Sequence, residues 1–354
     1  WTERLGPRPR GRRRLSRHVI PPLPPTFDAA LRDVRADKAS FRRAAASRLS
    51  EPPVGRRLEA VEGLRALARD PDGEVRALAF ESLGLLQATD VVETLLLGFE
   101  DSYPAARQAA VMALGRIDPD QARDRVAALL RDPRPDMRFC ALWTLSLLGA
   151  DQASRIASAL DDRDPEVRLA AAQCLGELDA SEFAGRLSPL LDDPDTDVRF
   201  GAAATLASFG DARAAPLLRA ALRQPEHALT AAIGLGDLRD RGSRNDLARL
   251  AKSWFRSPIK RAAAARALVL LGDSEGERVL AKLVRSWRIE ARQYATELVG
   301  ELGLVNLVPD LARNLRRSSE GEQRVIREAL QALAPKSSKA RALLASVRPA
   351  DHPG

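Results

Sequence analysis

The chain has 354 residues, enough for two or three ordinary domains or for one long repeat array with a continuous core. Hydrophobic residues make up 45% but aromatics only 4%, so the apolar mass is Ala, Leu and Val, which suits close-packed helices and argues against sandwiches and barrels. The net charge is +8, two cysteines exclude a disulfide framework, and no apolar run approaches the roughly 18 residues a membrane helix needs, so a cytoplasmic chain without a membrane span is expected.

Residues 1–26 come first. Residues 1–25 hold seven Arg and one acid, a net of +6, and run into Pro21-Pro22-Leu23-Pro24-Pro25 rather than into a hydrophobic signal core. A disordered basic arm is expected there. Beyond it the chain becomes self-similar. An arginine column reads Arg42, Arg76, Arg107, Arg138, Arg168 and Arg199, then Ala228, Arg261, Arg292 and Gln323, at spacings of 29–34 residues. Seven residues after each stands an aliphatic residue, from Leu49 through Val299 to Leu330. Three residues after stand Ala45, Ala79, Ala110, Ala141 and their successors, ending at Ile326. Offsets of minus one, three and seven share one helix face, so this is the core face of a helix, and its alanines admit a close neighbour. Glycine follows the aliphatic column at Gly84, Gly115, Gly176, Gly236 and Gly300, where the helix is expected to end.

Before each such helix lies a second amphipathic segment, as in 58–69, 91–99, 121–130 and 212–222, joined to it by a turn such as Asp70-Pro71, Asp132-Pro133 or Asp193-Pro194. One hairpin cannot bury its own apolar face, so neighbours must stack. The expected fold is all-α: a right-handed α-solenoid, or superhelix, of about ten helical hairpins, with a cap helix at 337–346 and a tail at 347–354. Charge divides the array: residues 26–236 carry 26 basic and 33 acidic residues, and residues 237–354 carry 23 and 14. We therefore place an acidic part at 27–236 and a basic part at 237–346, with the boundary at the irregular repeat that holds His227 and Ala228.

The pattern Asp-Pro-x-x-x-Val-Arg-x-x-Ala-x-x-x-Leu-Gly, as in Asp70 through Gly84, resembles the short bacterial HEAT-like repeats first associated with phycobilisome lyases, over roughly residues 28–346. Such arrays serve as scaffolds, lyases and nucleic-acid binders, so the resemblance speaks for the fold and hardly at all for the function. It implies that the arginine column forms a structural ladder with the turn aspartates Asp70, Asp101, Asp132, Asp162 and Asp193, each six residues before its arginine.

Two candidate sites lie where the pattern departs from regularity. On the second helices, offsets of one, five and nine from the arginine column face away from the core. In the middle repeats they hold Met112, Phe139, Trp143, Leu147, Leu169, Phe200, Leu229 and Ile233, with polar residues in the outer repeats. An apolar centre with polar flanks fits a concave groove for a partner's helix or peptide, anchored by Phe139 and Trp143. The aspartate column, in turn, stops after Asp193 and continues as Leu222, Phe255, Ser286 and Arg317. The turns there bring Trp254, Arg256, Lys260, Trp287, Arg288, Arg316 and Arg317, a basic and aromatic strip suited to nucleic acid or to an acidic protein surface.

Catalytic chemistry is thinly supplied. His18, His227 and His352 are the three histidines, none is followed by Glu, and the paired His-Glu sites of the iron-dependent hydroxylases built on such repeats are therefore absent. Cys140 and Cys174 read as buried reduced thiols, and neither a zinc spacing nor a phosphate-binding loop is present. The expectation is a non-enzymatic protein–protein interaction scaffold without metal or cofactor. Nucleic-acid binding through the strip is the alternative, and roles like those of phycobilin lyases or of HEAT-like DNA glycosylases are remote ones.

Overall fold

A computed structural model describes residues 25–87, 89–117, 119–254 and 256–346, and for residues 89 and 119–121 the backbone alone. Most of the basic arm, the tail at 347–354, Phe255, His18 and His352 lie outside the described residues. The chain divides into two compact units, one ending at Ala113 and the other beginning at Leu114.

The first unit holds the hairpins α1 (Phe27–Asp33) with α2 (Ala39–Leu49), α3 (Arg57–Leu67) with α4 (Gly73–Leu85), and α5 (Val92–Leu97) with α6 (Pro104–Leu114). In the second unit α7 (Pro119–Ala128) pairs with α8 (Pro135–Leu148), α9 (Ala153–Ala157) with α10 (Pro165–Glu177), and α11 (Ala184–Leu187) with α12 (Thr196–Ser208). There follow α13 (Ala215–Ala221) with α14 (Ala228–Asp237), α15 (Arg244–Lys252) with α16 (Pro258–Leu270), α17 (Ser274–Val284) with α18 (Ile289–Glu301), α19 (Val308–Leu315) with α20 (Glu320–Leu333), and the cap α21 (Ser338–Ser346). The second helices α8, α10, α12, α14, α16, α18 and α20 each pack on the next, including across the change of charge at 236/237. No strand occurs among the described residues, and the architecture is an all-α solenoid of helical hairpins. Several first helices are shorter than the amphipathic pattern suggests: α11 has four residues, set between the 3₁₀ turns Ser181–Phe183 and Ser188–Asp192, which tighten the approach to the Asp-Pro turn.

The sequence columns become the core. Ala45, Ala79, Ala141, Ala171, Ala202, Ala231, Ala264 and Ala295 are fully buried, as is every aliphatic residue from Leu49 to Leu330 seven places after the arginine column. Cys140 and Cys174 are buried and outside any disulfide, and burial pushes the Cys174 thiol up to about 12.

Each regular turn is built by two aspartates with different tasks. In the turn before α12, Asp193 Oδ1 accepts from the Asp195 N–H at 2.9 Å and closes the turn, while Asp195 Oδ1 accepts from the N–H groups of Asp197 and Val198 and caps the helix. Asp70 with Asp72 and Asp162 with Asp164 repeat the device.

The arginine column joins these turns, although Asp70, Asp101, Asp162 and Asp193 each pair with the arginine of the preceding repeat rather than with the one six residues after it. Arg168 donates from Nε and Nη2 to both oxygens of Asp193 at 2.8 Å, while its Nη1 donates to the carbonyl of Asp162 in its own turn at 2.7 Å. Arg42 with Asp70, Arg76 with Asp101 and Arg138 with Asp162 have the same fork geometry. The reason is positional: the guanidinium lies along the stack, where its own turn offers only carbonyls and the next turn offers a carboxylate. Asp132 is held by Arg134, which lowers its carboxyl to about 2. The ladder pauses at Arg199, which keeps the Asp193 carbonyl and Thr196 Oγ1 but finds buried Leu222 where an aspartate stood before. It resumes at Arg292, which binds the Ser286 carbonyl and Glu322.

The glycines that follow the aliphatic column stand where the helices end, as expected: Gly115 is the first residue past α6, and Gly84, Gly176, Gly236 and Gly300 are each the last residue but one of their helices. Gly84, Gly176, Gly236 and Gly300 are helical, and they permit close contact with the next second helix: a Cβ on Gly236 would stand 2.9 Å from Ala267 Cα, and one on Gly84 would stand 2.7 Å from Ala113 Cα. The left-handed residue that ends the helix comes three places later, at Gln87, Asp179, Arg239 and Gly303. At α10 the Asp179 N–H donates to the Gly176 carbonyl and the Ala180 N–H to the Leu175 carbonyl, both at 3.0 Å, a Schellman closure.

Two stability predictions follow from this geometry. The Arg168 guanidinium holds the Asp193 carboxyl below its ordinary value, and a depressed carboxyl stabilises the fold above the unfolded pKa of about 3.9, a contribution lost as pH falls through the folded value. Asp193→Asn should therefore cost about 2–4 kcal/mol at neutral pH. In urea melts the gap to the parent should narrow at acid pH, and a gap that is constant with pH contradicts the ladder. Gly236→Ala should destabilise by about 1–3 kcal/mol despite alanine's better helix propensity, because the methyl group meets backbone. Arg239→Gly should instead stabilise by about 1 kcal/mol by relieving the left-handed residue. Melting midpoints of the two variants that shift in the same direction would contradict this assignment.

Candidate partner-binding face

In the second unit, two of the residues that follow the arginine column, Leu169 and Phe200, lean toward the following repeat. Leu169 of α10 lies over Gly201 of α12, so closely that a Cβ on Gly201 would stand 2.2 Å from Leu169 Cδ1. Phe200 of α12 stacks on His227 just before α14, with ring centroids 4.1 Å apart. Phe139 of α8 has no such lid: it lies 6.3 Å from the Trp143 ring at a tilt of 59° and remains 39% exposed.

Phe139 and Leu169 line a cleft of about 350 Å³ together with Pro165, Glu166, Ala170, Gln173, Asp195 and Asp197. Its lining combines four apolar residues, Phe139, Pro165, Leu169 and Ala170, with Gln173 and three carboxylates. The three stand near the starts of α10 and α12, where their first task is local: Asp195 caps α12, and Glu166 and Asp197 sit in first turns, where acidic groups complement the helix dipole. Their second effect is a negative rim around an apolar pocket. Glu166 and Asp197 have no ion-pair partner among the described residues.

Of the eight residues read from sequence as a groove, the structure brings Phe139 and Leu169 together in the cleft, with Trp143 half-buried beside Phe139. Phe200 is covered by His227, Leu229 and Ile233 are half-buried on α14, and Met112, 39% exposed, lies on α6 in the first unit. Leu147 packs onto Gly115. Sequence reading missed the rim. The capping pattern Asp-x-Asp was visible, but that its second aspartate also faces the cleft follows from packing between α8, α10 and α12.

In the basic part, the residues of the expected strip fall into several settings. Trp254 is 76% and Trp287 83% exposed, and the Arg288 guanidinium lies 5.2 Å from the Trp287 ring centroid. Lys260 Nζ donates to the Pro225 carbonyl, and Arg316 and Arg317 are exposed beyond α19. Arg256 lines a second cleft, of about 230 Å³, with Leu222, Arg223, Asp246, Arg249, Leu250 and Ser253. Arg223 and Arg249 were not singled out from sequence, since the first follows the lost aspartate column and the second lies on α15. The concave column is different here too: Arg266, the counterpart of Trp143, bridges Asp237 at 2.8 Å and Glu301 at 2.7 Å, tying α14, α16 and α18 together.

Among the described residues no group of three or more His, Cys, Asp or Glu is placed to hold a metal ion, and no helix is long and apolar enough to cross a membrane. A family model described as HEAT repeats matches residues 92–157 and 153–232. No curated protein matches the chain significantly. Among solved structures, YibA of Escherichia coli is 18% identical over 84% of this chain and 98% of its own, with a TM-score of 0.43. The CpcE–CpcF complex of phycocyanin lyase from Nostoc sp. is 20% identical over 72% of this chain and 92% of its own, with a TM-score of 0.33. Importin beta is 14% identical over 87% of this chain and 52% of its own, with a TM-score of 0.50, a likeness of fold.

Proposed function

From the HEAT-repeat match over residues 92–232 and the helical solenoid around it, we propose that the chain is a non-enzymatic interaction scaffold that receives a partner's helix or extended peptide on the second-helix face of the middle repeats. HEAT solenoids typically serve as protein-interaction scaffolds. The observation that carries the reading here is the open cleft beside Phe139: a large aromatic side chain left 39% exposed next to Pro165 and Leu169, whereas the equivalent Phe200 stacks on His227 of the next repeat. An exposed aromatic at the edge of a pocket is the usual anchor of a peptide interface. The rim of Glu166, Asp195 and Asp197 favours a partner that brings an apolar side chain flanked by Lys or Arg.

Affinity capture with the full chain as bait tests this. Phe139→Ala with Trp143→Ala should weaken the captured complex by about 30-fold or more. Asp197→Lys, which alters an exposed position, should slow association and lessen the dependence on salt. Equal recovery of the same partner by the parent and by both variants, each shown to melt at the parental temperature, would remove the cleft as the contact.

A further inference from the structure

The two most exposed aromatic residues of the basic part remain without a role in the cleft at Phe139. Trp254 and Trp287 stand in the turns that lead into α16 and α18. These helices pack directly on each other and run the same way, because α17 returns between them. Their entry turns are therefore neighbours, separated by about the 8–10 Å of packed helix axes. An indole left about four-fifths in water forgoes the burial that a tryptophan normally obtains, and here two stand exposed on adjacent entry turns.

The same edge carries the second cleft. The guanidiniums of Arg223, Arg249 and Arg256 border it against the single carboxylate of Asp246, which Arg249 contacts at 3.2 Å. Arg223 and Arg256 have no carboxylate partner among the described residues, whereas other exposed arginines nearby do, such as Arg219 on Asp240 and Arg244 on Asp273. The cause lies in the ladder: where regular turns place an aspartate, this one places buried Leu222, so the ladder carboxylate is lost beside Arg223, and Glu226 is the one acid left in the turn.

We infer that this edge binds single-stranded nucleic acid, with backbone phosphate at the Arg223, Arg249 and Arg256 cleft and bases stacked on Trp254 and Trp287. Cations that can meet phosphate oxygens in pairs, next to solvent-exposed indoles, fit a ligand that alternates anionic groups with flat rings. An acidic protein surface would use the arginines and leave the indoles idle. The cation over Trp287 also suits stacking, since the Arg288 guanidinium adds its own plane.

The test uses the full chain and a fluorescein-labelled oligothymidylate of about 12 nucleotides, within the span such sites cover. Anisotropy should show binding at about 50 mM salt that weakens at least tenfold by about 200 mM, with quenching of the tryptophan emission. Trp254→Ala with Trp287→Ala should lower affinity by about tenfold or more while keeping the salt dependence. Arg223→Glu with Arg256→Glu should lower affinity and flatten the salt dependence, whereas Arg116→Glu with Arg131→Glu, an equal charge change elsewhere in the same unit, should leave both within about twofold. All these positions are exposed or half-buried outside the core columns, and parental melting temperatures confirm folding. No binding at low salt, an unchanged affinity without the two tryptophans, an equal loss in the control pair, or equally tight binding of a duplex of the same length each overturns the inference.

Discussion

A hairpin of two short helices cannot close over its own apolar stripe, so every repeat here depends on being set in register against the next. The guanidinium of the arginine column sets that register. It reaches back to carbonyls of its own turn and forward to both oxygens of the next turn's aspartate, so a single side chain fixes the distance and the orientation between two repeats. The aspartate it grips is also the residue that closes the turn, which means that turn geometry and stacking rest on one carboxylate. Few surface ion pairs matter for stability, but these are screened from water, with side chains 12% and 4% exposed for Arg168 and Asp193.

The distance set by the ladder is then used by small residues. Buried alanines line the core face, and glycines within α4, α14 and α18 let the following helix approach to backbone contact. The cost is a glycine inside a helix, about 1 kcal/mol of propensity at each site, offset by continuous packing along the stack. The same principle shapes the cleft: Gly201 leaves room for Leu169 to fold down, and the hollow beside it leaves the edge of Phe139 in water.

Acidic groups at helix starts serve the fold first and the surface second. In the middle repeats the capping and first-turn carboxylates of α10 and α12 surround an apolar pocket. After Asp193 the turn aspartate is lost, the ladder pauses at Arg199, and guanidiniums gather in the cleft lined by Leu222 and Leu250. Arg266 takes the place that Trp143 holds earlier and spends its charge on two carboxylates, closing the face that is open upstream. One repeat unit thus presents two chemically different surfaces, because a few turn positions changed while the core columns did not.

The sequence by itself determined the repeat, its length, its ten hairpins and nearly all of its core, since a helical period and a repeat period are local facts that burial must respect. It also located the irregular positions at Leu222 and Ala228. Tertiary structure decided which repeat each arginine serves, that the glycines near the helix ends also serve contact with the next helix, and that Glu322 replaces the missing aspartate for Arg292. It also decided which apolar residues are open: Phe139 and Leu169 share a cleft, while Phe200 meets His227, a residue of another column. These are distances between side chains on different helices, and a single chain's pattern places each residue on a face without saying what the neighbouring repeat lays over it.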